Sequence, residues 1–341
     1  MKLIDTRNAV GHVLCHDLTQ IIPGVTKDAR FRKGHIVAEA DIPVLLFMGK
    51  DHLYVWEKAE GMLHEDEAAE RLRALCQNEN MHPTPVKEGK IELVADVDGL
   101  FRVDAARLYA VNTVDEIMVA TRHTNTAVRR GDKLAGTRVI PLVVAEARLR
   151  EAEAAAGGAP LLELLPYVRK TAAIVTTGSE VFYGRIEDKF TPVVERKLAG
   201  CGISVIQRTK APDDRAQIVA AIGAARAAGA ELIVCTGGMS VDPDDQTPGA
   251  IKAAGARVVS YGAPVLPGAM FLLGYFEDGT PVLGLPGCVM YAGATVFDLV
   301  LPRVAAGVPV SKADLAGMGH GGLCLGCSEC RYPVCPFGKG V

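Results

Sequence analysis

The chain has no run of about 18 apolar residues, so it offers no segment long enough to span a membrane as a helix. It also has no basic surplus. Its 37 Lys and Arg face 40 Asp and Glu, a net charge of −3, whereas nucleic-acid proteins usually carry a positive excess. The opening residues, MKLIDTRNAV, lack the apolar core of a signal peptide. No strand runs into the dinucleotide fingerprint G-x-G-x-x-G, and G-x-x-x-x-G-K-[ST] does not occur, so neither a Rossmann cofactor nor a Walker phosphate cradle is supported. Together these absences predict a cytoplasmic protein with neither a nucleic-acid nor a membrane partner. A chain of 341 residues is too long for one ordinary core, and two or three domains are expected. With 49% apolar and 23% charged residues, its composition is that of an ordinary globular protein.

What is present is most regular after Thr171. Strands at Ala172–Thr176, Ile203–Gln207, Leu232–Cys235, Arg257–Ser260, Phe271–Phe276 and Val282–Leu285 alternate with helices. The helices are expected near Thr191–Leu198, from Asp213-Asp214 to Ala228, from a Thr247 cap with Pro248 behind it, and from Cys288 to Ala305. Repeated strand–helix units predict an α/β fold, a doubly wound, mostly parallel sheet. A smaller β-rich α+β region precedes it. The expected segments are an N-terminal α+β unit (1–62), a helix plus β-rich domain and linker helix (63–160), the α/β domain (161–310) and a Cys-rich tail (311–341).

In the first segment KLID, HVLCHDLTQII and HLYVW read as strands, Pro23-Gly24 as a turn and Asp41–Leu46 as a short helix. The loop Lys27–His35 carries five basic groups counting His35. It reads either as a solvated turn or as a site for an anionic group. His12, Cys15 and His16 are metal candidates, but on a strand Cys15 and His16 face opposite ways, which favours hydrogen-bonded or buried side chains. HEDEAAERLRALCQN (64–78) is an amphipathic helix with acidic residues in its first turn. Further on, IELVAD and FRVD flank Asp98-Gly99, the signal of a hairpin.

Three strands of the α/β segment end in glycine turns: TTGSE at 176–180, CTGGMS at 235–240 and LPG at 285–287. In open parallel sheets, ligands bind beyond the carboxyl ends of the strands, where glycine lets backbone approach closely. Gly237-Gly238 can present N–H groups to an anion, and Ser240 adds a hydroxyl. Gly287 precedes a helix whose N-terminus favours negative charge. Asp242, Asp244 and Asp245 supply carboxylates for Mg²⁺ or for a ring N–H. Such a site suits a ligand with an anionic tail and a polar heterocycle.

These residues resemble the molybdenum-cofactor biosynthesis (molybdopterin-binding) domain. The resemblance rests on Thr176–Glu180, then Gly184, Ile186 and Asp188, then TGGMSVDPDDQT (236–247), Pro267-Gly268 and Leu285–Gly287, and it covers about residues 171–310. That domain occurs in molybdopterin adenylyltransferases, molybdopterin molybdenumtransferases and competence-damage proteins. The Pro-Gly and Leu-Pro-Gly segments are most similar to the molybdenumtransferase branch. The resemblance implies molybdopterin or its adenylated form as ligand, Mg²⁺ at the phosphates and insertion of molybdate. It also implies catalytic roles for Glu180, Asp245 and Asp213 or Asp214, and ligand binding by Thr177, Gly178, Ser179, Gly237, Gly238, Ser240, Asp242, Pro267, Gly268, Pro286 and Gly287. A homo-oligomer is implied as well. The chain departs from that branch at Leu266 and Ala269, where lysines commonly flank the Pro-Gly, and at Cys288-Val289, where Asn-Pro usually follows. The branch's N-terminal Met-Asp-Gly-Tyr-Ala motif is absent. Two readings follow: a molybdenumtransferase-like enzyme, or a non-catalytic carrier or redox- and metal-sensing protein that delivers the cofactor to a molybdoenzyme. Nucleotide hydrolysis, as in the competence-damage relatives, is a third.

The tail adds a separate signal. Four of the nine cysteines, Cys324, Cys327, Cys330 and Cys335, lie in the last 18 residues as C-x₂-C-x₂-C-x₄-C-P. In a reducing compartment this predicts a metal site rather than disulfides. The thiolates suit a [4Fe–4S] cluster or a tetrahedral Zn²⁺, with His320 as a spare ligand.

Overall fold

The computed structural model describes residues 2–22, 26–55, 60–240, 242 and 245–340. The turn expected at Pro23-Gly24, the end of the strand at Trp56, and Asp244 lie outside the described residues. The chain divides into two compact units. Residues 1–94, 103–122 and 133–163 form one; residues 95–102, 123–132 and 164–341 form the other. The first two segments expected from sequence therefore fall largely in one unit, and the α/β segment and tail in the other.

In the first unit, Lys2–Asp5 pairs antiparallel with His52–Val55, and Leu18–Ile22 pairs with Thr26–Phe31. Asp41–Phe47 is helical. Ala9, Leu14, Leu18, Phe31, Val37, Leu45 and Leu53 form their shared core. Lys27 to Phe31 is thus strand rather than turn, and two basic groups after it are paired: Lys33 with Asp66, and His35 with Asp41 at 2.6 Å. Cys15 is buried and its thiol donates to the Tyr54 carbonyl at 2.8 Å. The helix Glu65–Cys76 is closed at its start by a capping box of His64 and Glu67, and buries Ala68, Ala69, Leu72 and Cys76.

The hairpin expected across Asp98-Gly99 does not form. Lys90–Ala95 pairs with Lys133–Val139, while Gly99–Val103 pairs with Thr126–Val128. Asp98 instead accepts the Arg130 N–H at 2.8 Å. The turn residues serve loop-to-loop hydrogen bonding, and long-range pairing overrides the local signal.

The second unit carries the sheet that positions the site. Its elements are β1 (Thr171–Thr177), α1 (Ser179–Phe182), α2 (Thr191–Ala199), β2 (Ser204–Ala211), α3 (Arg215–Ala227), β3 (Ile233–Thr236), α4 (Thr247–Ala253), β4 (Arg257–Tyr261), β5 (Leu272–Tyr275), β6 (Pro281–Leu285), α5 (Val296–Ala305) and α6 (Lys312–Gly317). The sheet order is β2-β1-β3-β6-β5-β4. The pairs β1–β2, β1–β3 and β3–β6 are parallel; β5 runs against both neighbours. Alternation along β1 sorts its side chains between two cores. Ala172 and Ile174 pack with Val194 and Leu198 of α2 and with Phe297, Val300 and Val304 of α5. Ala173 and Val175 pack with Ile218 and Ile222 of α3 and with Ala250 and Ile251 of α4. Helices therefore cover both faces, as expected of a doubly wound sheet.

Two helix starts differ from expectation. Thr247 is not a cap; it stands at the first helical position behind Gln246, with its side chain fully buried. The long helix expected from Cys288 is broken. Gly287–Met290 is one 3₁₀ turn, and α5 begins only at Val296, where Thr295 and Asp298 form a capping box. No helix among the described residues is long and apolar enough to cross a membrane.

Candidate functional site

Beyond the carboxyl ends of β1, β3 and β6, the three glycine turns converge on one cavity of about 1030 Å³. Close backbone approach builds its floor. Gly237 has φ +85°, and a Cβ there would lie 2.1 Å from the Thr177 carbonyl oxygen. Gly238 has φ +53°, and its Cβ would lie 2.8 Å from Thr247 Oγ1. Only glycine satisfies both the left-handed backbone and that spacing. Beneath the floor, Thr177 Oγ1 meets Thr247 Oγ1 at 2.9 Å and donates to the Thr236 carbonyl at 3.1 Å. This buried hydroxyl network ties the ends of β1 and β3 to the start of α4.

Among the described residues, five carboxylates line the cavity: Glu180, Glu187, Asp188, Asp242 and Asp245. Asp245 accepts the Ser240 N–H at 2.6 Å, and its own N–H donates to the Asp242 carbonyl at 3.0 Å. The Tyr261 hydroxyl donates to the Met239 carbonyl at 2.8 Å and clamps the other side of the loop. On the β1 side, Asp188 accepts the Thr191 hydroxyl at 2.6 Å and the backbone N–H groups of Phe190 and Thr191. Burial opposes its ionisation, but these donors outweigh burial and hold its carboxyl below the usual range. Asp188 is thus an anion that shapes the turn after α1.

One atom in the cavity wall stands out. Thr236 is fully buried, and its hydroxyl has no hydrogen-bond partner. A buried unsatisfied hydroxyl costs roughly 1–3 kcal/mol. A polar ligand group seated here would relieve that cost.

The residues singled out from sequence divide into groups. Thr177, Glu180, Gly237, Gly238, Ser240, Asp242, Asp245, Pro286 and Gly287 all line the cavity. Gly178 and Ser179 belong to the turn itself: Gly178, at φ +134°, donates its N–H to Ala211 O. Asp213 and Asp214 have structural partners. Asp213 accepts the Ser179 N–H at 2.8 Å, and Asp214 caps α3 through the Gln217 N–H at 2.8 Å. Pro267 lines a different cavity, together with the tail cysteines. Gly268 is packed on Val296, where a Cβ would come within 2.5 Å of a side-chain carbon. Leu266 is half exposed, and its backbone holds the tail: its N–H donates to Gly322 O and its carbonyl accepts from Cys324, each at 2.8 Å.

Gly287 opens only a 3₁₀ turn, so the helix N-terminus expected there is absent. Cys288 lies in that turn, half-buried, and burial raises its thiol above the usual range. Sequence reading missed Thr236, Met270, Tyr291 and Lys189, all of which line the cavity. Thr236 stood directly before Gly237 in a quoted motif. The other three carried no spacing signal.

Cys324, Cys327, Cys330 and Cys335 are free thiols. Among the described residues, no three His, Cys, Asp or Glu side chains are gathered so that they could hold one metal ion. This applies equally to His12, Cys15 and His16, and to the described carboxylates of the cavity.

Comparison with known proteins adds the following. Residues 173–306 match the family described as "probable molybdopterin binding domain", and residues 3–57 match a domain of unknown function, DUF8806. A molybdenum cofactor biosynthesis bifunctional protein of Synechococcus elongatus is 30% identical over 162 residues, 44% of this chain and 49% of that protein. A CinA-like protein of Mycobacterium sp. (strain MCS) is 37% identical over 76 residues, 22% of this chain and 18% of that one. The chain therefore spans about half the length of the first relative and under a fifth of the second. Among solved structures, the molybdopterin biosynthesis enzyme MoaB of Thermus thermophilus aligns with a TM-score of 0.35 at 23% identity, over 41% of this chain and 98% of that one.

Proposed function

We propose, starting from the molybdopterin-binding domain that residues 173–306 form, that this protein binds molybdopterin or its adenylated precursor in the glycine-turn cavity and acts as a molybdenumtransferase-like enzyme. The observation that carries this reading is the cavity's set of donors and acceptors: the backbone of Gly237-Gly238, the unpartnered Thr236 hydroxyl, and carboxylates that include Glu180, Asp242 and Asp245. Backbone N–H groups and a hydroxyl suit a phosphate. The polar atoms of a pterin suit Asp242, Asp245 and Glu180.

When bound, the ligand supplies a dithiolene for the metal, and a divalent cation offsets the phosphate charge. Mg²⁺ would be held chiefly by the phosphates, with one of Glu180, Asp242 and Asp245 as a protein ligand, since these three are not gathered around a single ion. Asp245 also holds the Ser240 N–H, so one carboxylate both orders the loop and faces the ligand. Asp213 and Asp214 position the walls, through Ser179 and α3. The tail cysteines form a metal centre, iron–sulfur or zinc. A homo-oligomer and a molybdoenzyme as recipient complete the proposal.

A second reading rests on Leu266 and Ala269. Neither lines the cavity, and neither can attract an oxyanion as a lysine would. On that reading the protein carries or senses the pterin without inserting metal. Asp245→Asn separates the two. The amide oxygen keeps the Ser240 contact while the charge is lost. With an enzyme, anaerobic incubation with adenylated molybdopterin, molybdate and Mg²⁺ releases AMP, and Asp245→Asn lowers that release at least about 100-fold while the ligand still binds. With a carrier, the parent protein binds the pterin and releases no AMP.

A further inference from the structure

All four tail cysteines line a single cavity of about 300 Å³, separate from the glycine-turn cavity. The segment that carries them is anchored by backbone and aromatic contacts, with Cys324 and Cys335 packed on the core. Cys324 N–H donates to Leu266 O at 2.8 Å. The Tyr332 hydroxyl donates to the Asp298 carbonyl of α5 at 3.0 Å. Phe337 is 3% exposed and joins the core. Gly338 presses on Leu299 so closely that a Cβ would come within 2.3 Å of it. Gly293 does the same for Cys330, where a Cβ would sit 2.8 Å from Sγ. The backbone around the thiols is therefore built, and the four thiols are in no disulfide.

The lining and spacing of the thiols favour one metal centre. All four line one cavity of about 300 Å³, and a cube of iron and sulfide, in which each thiolate bonds a different iron at a different corner, suits such a space. The order C-x₂-C-x₂-C with a final Cys-Pro also follows the cluster pattern, with one residue added before the last cysteine.

The cavity has a second property. Tyr291 lines both it and the glycine-turn cavity. The stretch Gly287–Ala294, where the expected helix is broken, is a shared wall: Gly287, Cys288, Met290 and Tyr291 face the ligand cavity, and Tyr291, Gly293 and Ala294 face the thiols.

We propose that Cys324, Cys327, Cys330 and Cys335 bind a [4Fe–4S] cluster that lies behind the Tyr291 wall of the ligand pocket. This rests on the reading of the tail as a metal centre and chooses between its two forms. Loading is a ligand exchange with no change of oxidation state. Four protein thiols replace the four small-thiolate ligands of a preformed cluster, and each leaving thiolate takes the proton of the cysteine that displaces it. Cys327 and Cys330 are exposed, so a donor reaches the site from solvent.

The test is anaerobic transfer of a preformed thiolate-capped [4Fe–4S] cluster to the full-length chain, followed by desalting, iron and sulfide analysis and a visible spectrum. The expected result is about four irons and four sulfides per chain with a broad visible band. Cys327→Ser and Cys330→Ser, both at exposed positions and checked for folding by circular dichroism, lose most of the iron. In a Trp56→Phe background, Tyr291→Trp provides one emitting indole beside the cavity, and loading quenches most of its emission. One zinc per chain that resists replacement overturns the cluster, as do thiols that stay fully reactive after transfer. Full loading with unchanged Tyr291→Trp emission overturns the shared wall. Pterin binding by Cys330→Ser is read separately and reports on the ligand pocket alone, so failure there counts against the pocket reading and not against the cluster.

Discussion

Gly237→Ala is the sharpest structural perturbation of the ligand cavity. The added methyl carbon would stand 2.1 Å from the Thr177 carbonyl oxygen and 3.0 Å from its carbonyl carbon. The neighbour is backbone of β1, so it cannot rotate away. Two costs add. A left-handed φ of +85° costs an alanine roughly 1–2 kcal/mol, and overpacking against backbone costs roughly 1–3 kcal/mol more. The expected destabilisation is therefore about 2–5 kcal/mol, a large part of the roughly 5–15 kcal/mol that holds a domain folded. Gly229→Ala supplies the control. It has φ +78°, and nothing lies within 4 Å of where a Cβ would sit, so only the conformational cost applies. Urea unfolding followed by circular dichroism should place the Gly237→Ala midpoint well below that of Gly229→Ala. Molybdopterin affinity should fall at least about 10-fold for Gly237→Ala and stay unchanged for Gly229→Ala. Equal midpoints for the two variants would refute the close approach as the reason for glycine.

Three further outcomes are expected. Thr236→Val removes a buried hydroxyl that has no partner, so the chain should be as stable as the parent or more so, by up to about 1–3 kcal/mol; a lower urea midpoint than the parent's would contradict the assignment. Glu65 is buried, and burial with the neighbouring Asp66 charge pushes its carboxyl up from 4.5 to about 7. The folded chain then holds this proton more tightly than the unfolded one, so the stabilising contribution is full below about pH 4.5 and is lost as pH rises through about 7; Glu65→Gln should flatten that fall, and parallel pH–stability curves would count against it. Thr295→Ala removes the α5 cap, where Thr295 Oγ1 accepts the Phe297 N–H at 3.2 Å, and should cost about 1 kcal/mol or somewhat more, read as a lower thermal midpoint.

Much of the sheet was legible because its strands are locally encoded. Continuous apolar runs such as Ala172–Val175 and Leu232–Cys235, each stopped by a polar turn, mark buried parallel strands whatever surrounds them. The hairpin at Asp98-Gly99 was not legible, since the partner of Gly99–Val103 is Thr126–Val128 and local turn residues do not report a distant strand. The break before α5 had a signal that went unused: Thr295-Val296-Phe297-Asp298 is a capping box written in sequence. It was hidden by an apolar stretch that also reads as helix. Within the site, the Gly-Gly turn and the Asp242–Asp245 loop were readable from residue type. Asp213 and Asp214 were legible as a pair, but their type alone does not separate a cap from a ligand. The Tyr291 wall depends on tail residues packing on Gly293, which no local pattern encodes.

The most direct measurement is an anaerobic equilibrium titration of molybdopterin against the parent chain and Thr236→Val, read by the pterin's own absorbance or fluorescence. The account predicts saturable one-to-one binding to the parent and at least about 10-fold weaker binding to Thr236→Val, the loss of one hydrogen bond to a charged group. No saturable binding to the parent, or equal binding by a folded Thr236→Val, would contradict the claim that this cavity holds the pterin.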